Sequence, residues 1–90
     1  MSLWRIEYSD YAKRQMRKLD RTVLLSIERF VKRLPDFPDP RSVGKPLKGQ
    51  YAGLWRYVVD DYRLICSIHD DILVVEVIKI GHRSKVYKDR

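Results

Sequence analysis

Ninety residues, 44% hydrophobic and 34% charged, are enough for one packed domain with a solvated exterior and leave no room for a second domain. Lys and Arg number 19 against 12 Asp and Glu, so a net charge of +7 and a pI near 9.8 point towards nucleic acid or an acidic protein partner. The longest apolar run, residues 72–75, is four residues and the first five show no apolar core, so neither a membrane span nor a signal peptide is expected and a cytoplasmic location is predicted.

Residues 3–8 alternate, with Trp4, Ile6 and Tyr8 on one side and Arg5 and Glu7 on the other, which is the period of a half-buried strand. Ser9 or Asp10 can then accept the unpaired first-turn amides of a helix. In that helix Ala12, Met16 and Leu19 make the packing side, while Lys13, Arg14, Arg17 and Lys18 lie outside. Asp20 restarts the pattern as an N-cap, and Val23, Leu24, Ile27, Val31 and Leu34 form a second apolar stripe. Pro35, Pro38 and Pro40 cannot continue it, so residues 35–46 are expected to cross the surface as a connection.

Three strands follow, over residues 54–59, 62–69 and 72–80, joined at Asp60-Asp61 and Asp70-Asp71, where a short carboxylate side chain suits a tight turn. The lone Cys66 permits no internal disulfide and sits in an apolar strand pattern as a small buried thiol. The expectation is a single α+β domain over residues 1–90: a small antiparallel sheet in the order strand-helix-helix-strand-strand-strand, with a two-helix hairpin on one face. The hairpin can cover one face only, so the other looks to solvent or a partner.

On that open face alternation puts Arg63 on the polar side of its strand, with Arg56 in the strand before it, Lys45 and Lys48 just upstream and Arg83 just after the last strand. Guanidinium forks suit phosphate, and clustered cations can stabilise the charge that grows when a 2'-hydroxyl attacks a phosphodiester. Trp55, Tyr62 and Tyr87 offer flat surfaces for splayed bases. His82 is the candidate proton acceptor by residue type, with Lys48 or an arginine in a strongly perturbed setting as alternatives. The paired aspartates read as turns, so no metal site and no cofactor are expected. Plainer readings stand beside these: a solvated basic terminus whose residues 84–88 dock Val86 and Tyr87 on the sheet, Trp55 and Tyr57 in the core, His69 as a turn residue, and Arg63 paired across strands with Glu76.

The element order together with LWRYVVDDYRLI and IGHRSKVY, within residues 45–88, resembles the RelE/ParE superfamily of bacterial and archaeal toxins from toxin–antitoxin pairs. The similarity spans essentially the whole chain and is greatest to the RelE branch. It implies a RelE-like, microbial-RNase-type fold. It also implies a translation-inhibiting endoribonuclease that cuts mRNA in the A site of the 70S ribosome without a metal. Carried over, Arg63 of DYR and Arg83 of GHR would contact phosphate and transition state, Tyr87 would stack on or orient a base, and Arg56 matches a basic strand position. The best-known RelE-type enzyme has two lysines in that strand where this chain has Leu54 and Arg56, so Lys48 and His82 both stand as candidate bases. The catalytic set is thus Arg63, Arg83, Tyr87, Arg56, Lys48 and His82, and the RNA-binding set is Lys45, Lys48, Arg56, Arg63, Trp55 and Lys85. The resemblance further implies a cognate antitoxin that wraps the toxin as a heterodimer or heterotetramer and binds operator DNA. Two other readings are a ParE-like protein that poisons DNA gyrase and a non-toxic partner that only assembles with its antitoxin.

Overall fold

In the computed structural model, which describes residues 3–88, the first strand β1 is Arg5–Tyr8. Ser9 follows in an extended conformation and its hydroxyl oxygen accepts the Ala12 N–H at 3.0 Å, which opens helix α1, Asp10–Met16. The same hydroxyl donates to the Ile78 carbonyl at 2.7 Å, so the residue that starts the helix also ties it to the last strand. The helical stretch does not run on to Leu19: the N–H groups of Lys18 and Leu19 reach back to Gln15 and Met16, tightening the chain into a turn.

Helix α2, Arg21–Arg33, begins after Asp20, whose side chain makes no capping hydrogen bond, and carries Lys32 and Arg33 at its carbonyl end, where cations suit the dipole. Its inner stripe is real, with Ile27 and Val31 buried. Leu34–Asp36 tightens into a 3-10 turn with Pro35 at its start, and a second 3-10 turn covers Pro40–Val43. Arg41 fastens this connection: it donates to both Asp70 carboxylate oxygens, at 3.0 and 2.6 Å, and its guanidinium lies 5.7 Å from the Trp55 ring centre. That pairing holds the Asp70 carboxyl below the usual carboxylate range.

Beyond the connection come β2 (Lys45–Pro46), a 3-10 turn at Gly49–Tyr51, β3 (Trp55–Val59), β4 (Tyr62–His69) and β5 (Val74–His82). The sheet has five strands in the order β1-β5-β4-β3-β2. The meander expected of β3, β4 and β5 is present, but the sheet is mixed, because β1 pairs with β5 in parallel. The helical hairpin and the connection after it carry the chain from β1 across to β3 running the same way, and the two reversals at β4 and β5 then bring β5 back parallel to β1. The two-residue β2 falls in the segment read as connection. β5 starts at Val74 and not at Ile72, since Leu73 takes a left-handed φ of 54° that no strand continues through, and Ile72 is exposed.

Between helices and sheet lies one core, in which Ala12, Ile27, Leu34, Tyr57, Leu64 and Cys66 are all fully buried. Each such large apolar side chain contributes about 1.5–3 kcal/mol. Tyr57 is the one polar tip: its hydroxyl donates to the Pro40 carbonyl at 2.7 Å, its ring sits 5.6 Å from that of Phe30, and burial raises its phenol pKa. Burial likewise pushes the Cys66 thiol up, away from the thiolate a nucleophile needs. Met1, Ser2, Asp89 and Arg90, parts of the leader and terminus readings, lie outside the described residues. Among the described residues, no helix is long and apolar enough to cross a membrane.

Candidate functional site

Tyr57, Val59, Leu64 and Cys66 point at the helices, so the residues between them, Arg56, Val58, Arg63 and Ile65, project from the opposite face. Register then assembles rows across the strands. Lys45 pairs with Arg56, Arg56 with Ile65, and Ile65 with Lys79; the neighbouring row is Val58, Arg63 and Gly81. This end of the face is basic. The other end carries Glu7 beside Glu76, each with a side-chain partner at hand, Arg5 at 3.2 Å and His69 at 3.4 Å. Glu76 thus pairs with His69, and Arg63 is left for another purpose than the ion pair its position suggested.

Arg63 reaches the turn between β3 and β4, donating from Nη1 to the carbonyls of Tyr62 at 3.1 Å and Asp60 at 3.3 Å. Arg83 meets the same turn from the other side: its N–H donates to the Asp61 carbonyl at 2.7 Å and its Nε lies 3.8 Å from the Asp61 carboxylate. Two guanidinium groups 20 positions apart in sequence therefore flank one tight turn. Arg56 Nε is buried and makes no hydrogen bond to the described residues. An orphan donor of this kind costs about 1–3 kcal/mol.

After β5 the chain folds back over the face. The Lys85 and Val86 amides donate to the His82 carbonyl, Val86 is 1% exposed, and a Cβ on Gly81 would stand 3.2 Å from both Cα and Cβ of Val86. Gly81 is therefore small because the tail lies on it, and the docking of Val86 follows the plainer reading of the tail. Tyr87 stays exposed and is positioned by Tyr51, whose hydroxyl donates to the Tyr87 carbonyl at 3.1 Å and whose ring meets it edge-on at 5.6 Å. Lys48, exposed, precedes the turn that carries Tyr51 and accepts the Tyr51 N–H on its carbonyl.

Three candidates are not brought to this face. Trp55 alternates with Arg56 and so lies on the helix side, under Arg41. His82 also faces the helix side, edge-on to Tyr62 at 5.5 Å. Its Nδ1 receives the Ser84 backbone N–H at 3.1 Å and contacts the Ser84 hydroxyl at 2.8 Å. An amide can only donate, so Nδ1 is the acceptor and Nε2 carries the proton, which makes His82 a donor towards solvent and not a base towards the arginines. Lys85 is exposed on the tail and points to the α1 side, where it lines a groove. Tyr51 and Lys79 escaped the sequence reading: nothing about a tyrosine in a loop, or a lysine in an apolar strand, announces a partner many residues away. Among the described residues no three of His, Cys, Asp and Glu gather as metal ligands would.

A mixed five-stranded sheet with a helical hairpin on one face and a basic end on the other defines a small toxin of the RelE type. The chain belongs to the family of the ParE toxin of type II toxin–antitoxin systems, parDE, whose model matches residues 6–87. It is 29% identical to toxin RelG of Mycobacterium tuberculosis (92% of this chain, 94% of the relative) and 32% identical to toxin RelE of the same organism (86% and 78%). The toxin–antitoxin complex RelBE2 of M. tuberculosis has the same fold, with a TM-score of 0.81, 28% identity and 94% and 97% of the two chains covered. The intact RelBE complex of E. coli, at 22% identity and a TM-score of 0.71 over 88% and 95% of the chains, shares the fold.

Proposed function

We propose that this toxin is an endoribonuclease that cuts mRNA in the ribosomal A site and so arrests translation in the cytoplasm. The observation that carries the reading is the meeting of Arg63 and Arg83 at the Asp60–Tyr62 turn, next to the Arg56 row and under a tail that presents Tyr87. In the reaction the 2'-hydroxyl attacks the adjacent phosphorus, and the bond to the 5' oxygen breaks. The products are a 2',3'-cyclic phosphate and a 5'-hydroxyl, which takes up a proton. Charge accumulates on the phosphoryl oxygens, where guanidinium donors are worth more than in the ground state. With His82 turned away, Lys48 and the Tyr87 phenol are the groups available for proton transfer on this face, and Lys45, Arg56 and Lys48 hold the strand. Neither a metal nor an organic cofactor is required by this scheme.

Relatives of the same fold were solved as toxin–antitoxin complexes. An acidic antitoxin segment that covers the basic face, in a heterodimer or heterotetramer able to bind operator DNA, fits the +7 charge. Poisoning of DNA gyrase, the ParE-like reading, is the second, since the matching family is that of the ParE toxin. Primer extension on a defined mRNA, with and without programmed ribosomes, separates them. Cuts at A-site codons that need ribosomes, and that fall by 10²–10³ in rate with Arg83→Ala, are expected of the nuclease, about 3 kcal/mol for one transition-state donor. Growth arrest with intact mRNA would replace it by the gyrase reading.

A further inference from the structure

A groove of about 540 Å³ runs along the free edge of β5, between α1 and the C-terminal tail, and meets the basic face at Lys79 and Gly81. Among the described residues that line it four are lysines, Lys18 from the turn after α1, Lys79 from β5, and Lys85 and Lys88 from the tail, and none is acidic. Lys79 Nζ gives one donor to the Lys88 carbonyl at 3.1 Å, which leaves two. Tyr11, Tyr62 and His82 add flat rings to the wall. We propose that this groove is a second binding track for single-stranded RNA, which passes along the α1 side of the tail and meets the arginine face at Lys79.

The occupant follows from what the groove lacks. A partner's strand would find little of this edge open, because three of its backbone groups are taken: the Ile78 carbonyl by the Ser9 hydroxyl, the Ile80 N–H by Gln15 Oε1 at 2.7 Å, and the His82 carbonyl by two tail amides. A protein interface would centre on apolar and aromatic side chains and be poor in lysine. A cationic trough with interspersed rings is how proteins follow a phosphate backbone without reading its sequence. The tail links the two surfaces, since Arg83 and Tyr87 belong to the arginine face while Lys85 and Lys88 line the groove. An RNA strand passing the tail would then hold both.

The track can be tested with a 2'-O-methyl RNA oligonucleotide, which binds but cannot be cut, followed by fluorescence anisotropy from 50 to 200 mM salt. Lys18→Ala with Lys85→Ala removes two groove charges whose side chains are exposed, and Lys13→Ala with Lys32→Ala removes two exposed charges elsewhere. The groove pair should weaken binding about tenfold at 0.1 M salt and lower the slope of log affinity against log salt by about 1.4, at about 0.7 for each single-strand phosphate contact. The outer pair should leave both nearly unchanged. Equal losses in the two pairs, no loss in the groove pair, or displacement of the RNA by polyglutamate at lower concentration than by unlabelled RNA would overturn the track. The inference rests on RNA as the ligand but not on cleavage: lysine-dependent binding by a protein that cuts nothing on ribosomes would sink the nuclease reading and leave the groove standing.

Discussion

Gly81 constrains the site through the space above it. A methyl there would lie 3.2 Å from the Val86 Cα, a contact that only a shift of the tail relieves, so Gly81→Ala should lift residues 85–88 and with them Tyr87. Cleavage is expected to fall at least tenfold while the melting temperature moves by a few degrees only; wild-type turnover would mean that the tail is not positioned by this contact. The same scale separates what alternation could tell from what it could not. Arg56 and Arg63 were placed correctly by counting every second residue, since β3 and β4 pair without interruption up to Ile65. His82, expected on the open face as a candidate base, lies on the other, because Ile65 pairs with Lys79 while Cys66 pairs with Val77, leaving Ile78 as an extra residue. That bulge exchanges the faces of everything after it: Ile80 and His82 turn to the helix side, Lys79 and Gly81 to the open one. No apolar pattern in VVEVIKIGH betrays it. His82→Gln should therefore keep cleavage within about tenfold of wild type, where loss of a true general base would cost 10²–10⁴.

Among the elements, α1 is short, and seven residues of helix have little stability of their own. What holds it is its pairing with the exposed edge of β5, where β1 has already ended at Tyr8. Ser9 and Gln15 supply that pairing, one hydroxyl and one amide oxygen in place of a sixth strand. Ser9 was legible as a cap because capping is local; its second bond, to a residue 69 positions on, was not. The same reach explains why β1 was read as a strand but not as a parallel neighbour of β5, and why the two-residue β2, too short to show a period, passed as loop. Ser9→Ala removes a cap and orphans a carbonyl, so a loss of about 1–2 kcal/mol is expected. In a domain of this size that is roughly 4–8 °C of melting temperature per kcal/mol, read by thermal unfolding; an unchanged melting temperature would show α1 to be held by packing alone.

At the scale of the whole molecule, the sheet joins both ends of the chain. β5 sits between β1 and β4, so the first and last strands are neighbours and β1 cannot leave without breaking a pairing that spans most of the chain. Such a topology favours a single cooperative unit. Cys66 offers a direct report on it. The thiol lies on β4, fully buried between β3 and β5, and burial keeps it protonated far above neutral pH, with the Glu76 carboxylate acting in the same direction. A disulfide reagent needs both access and a thiolate, so at pH 8 Cys66 should react only through opening of the sheet. Its labelling rate should then fall in step with every substitution that stabilises the fold and rise about fivefold for each kcal/mol lost, as with Ser9→Ala, when opening is fast relative to labelling. A thiol that reacted within the mixing time in native buffer, or at a rate indifferent to Ser9→Ala, would reveal that β4 opens locally, under the arginines that the proposed cleavage needs to hold still.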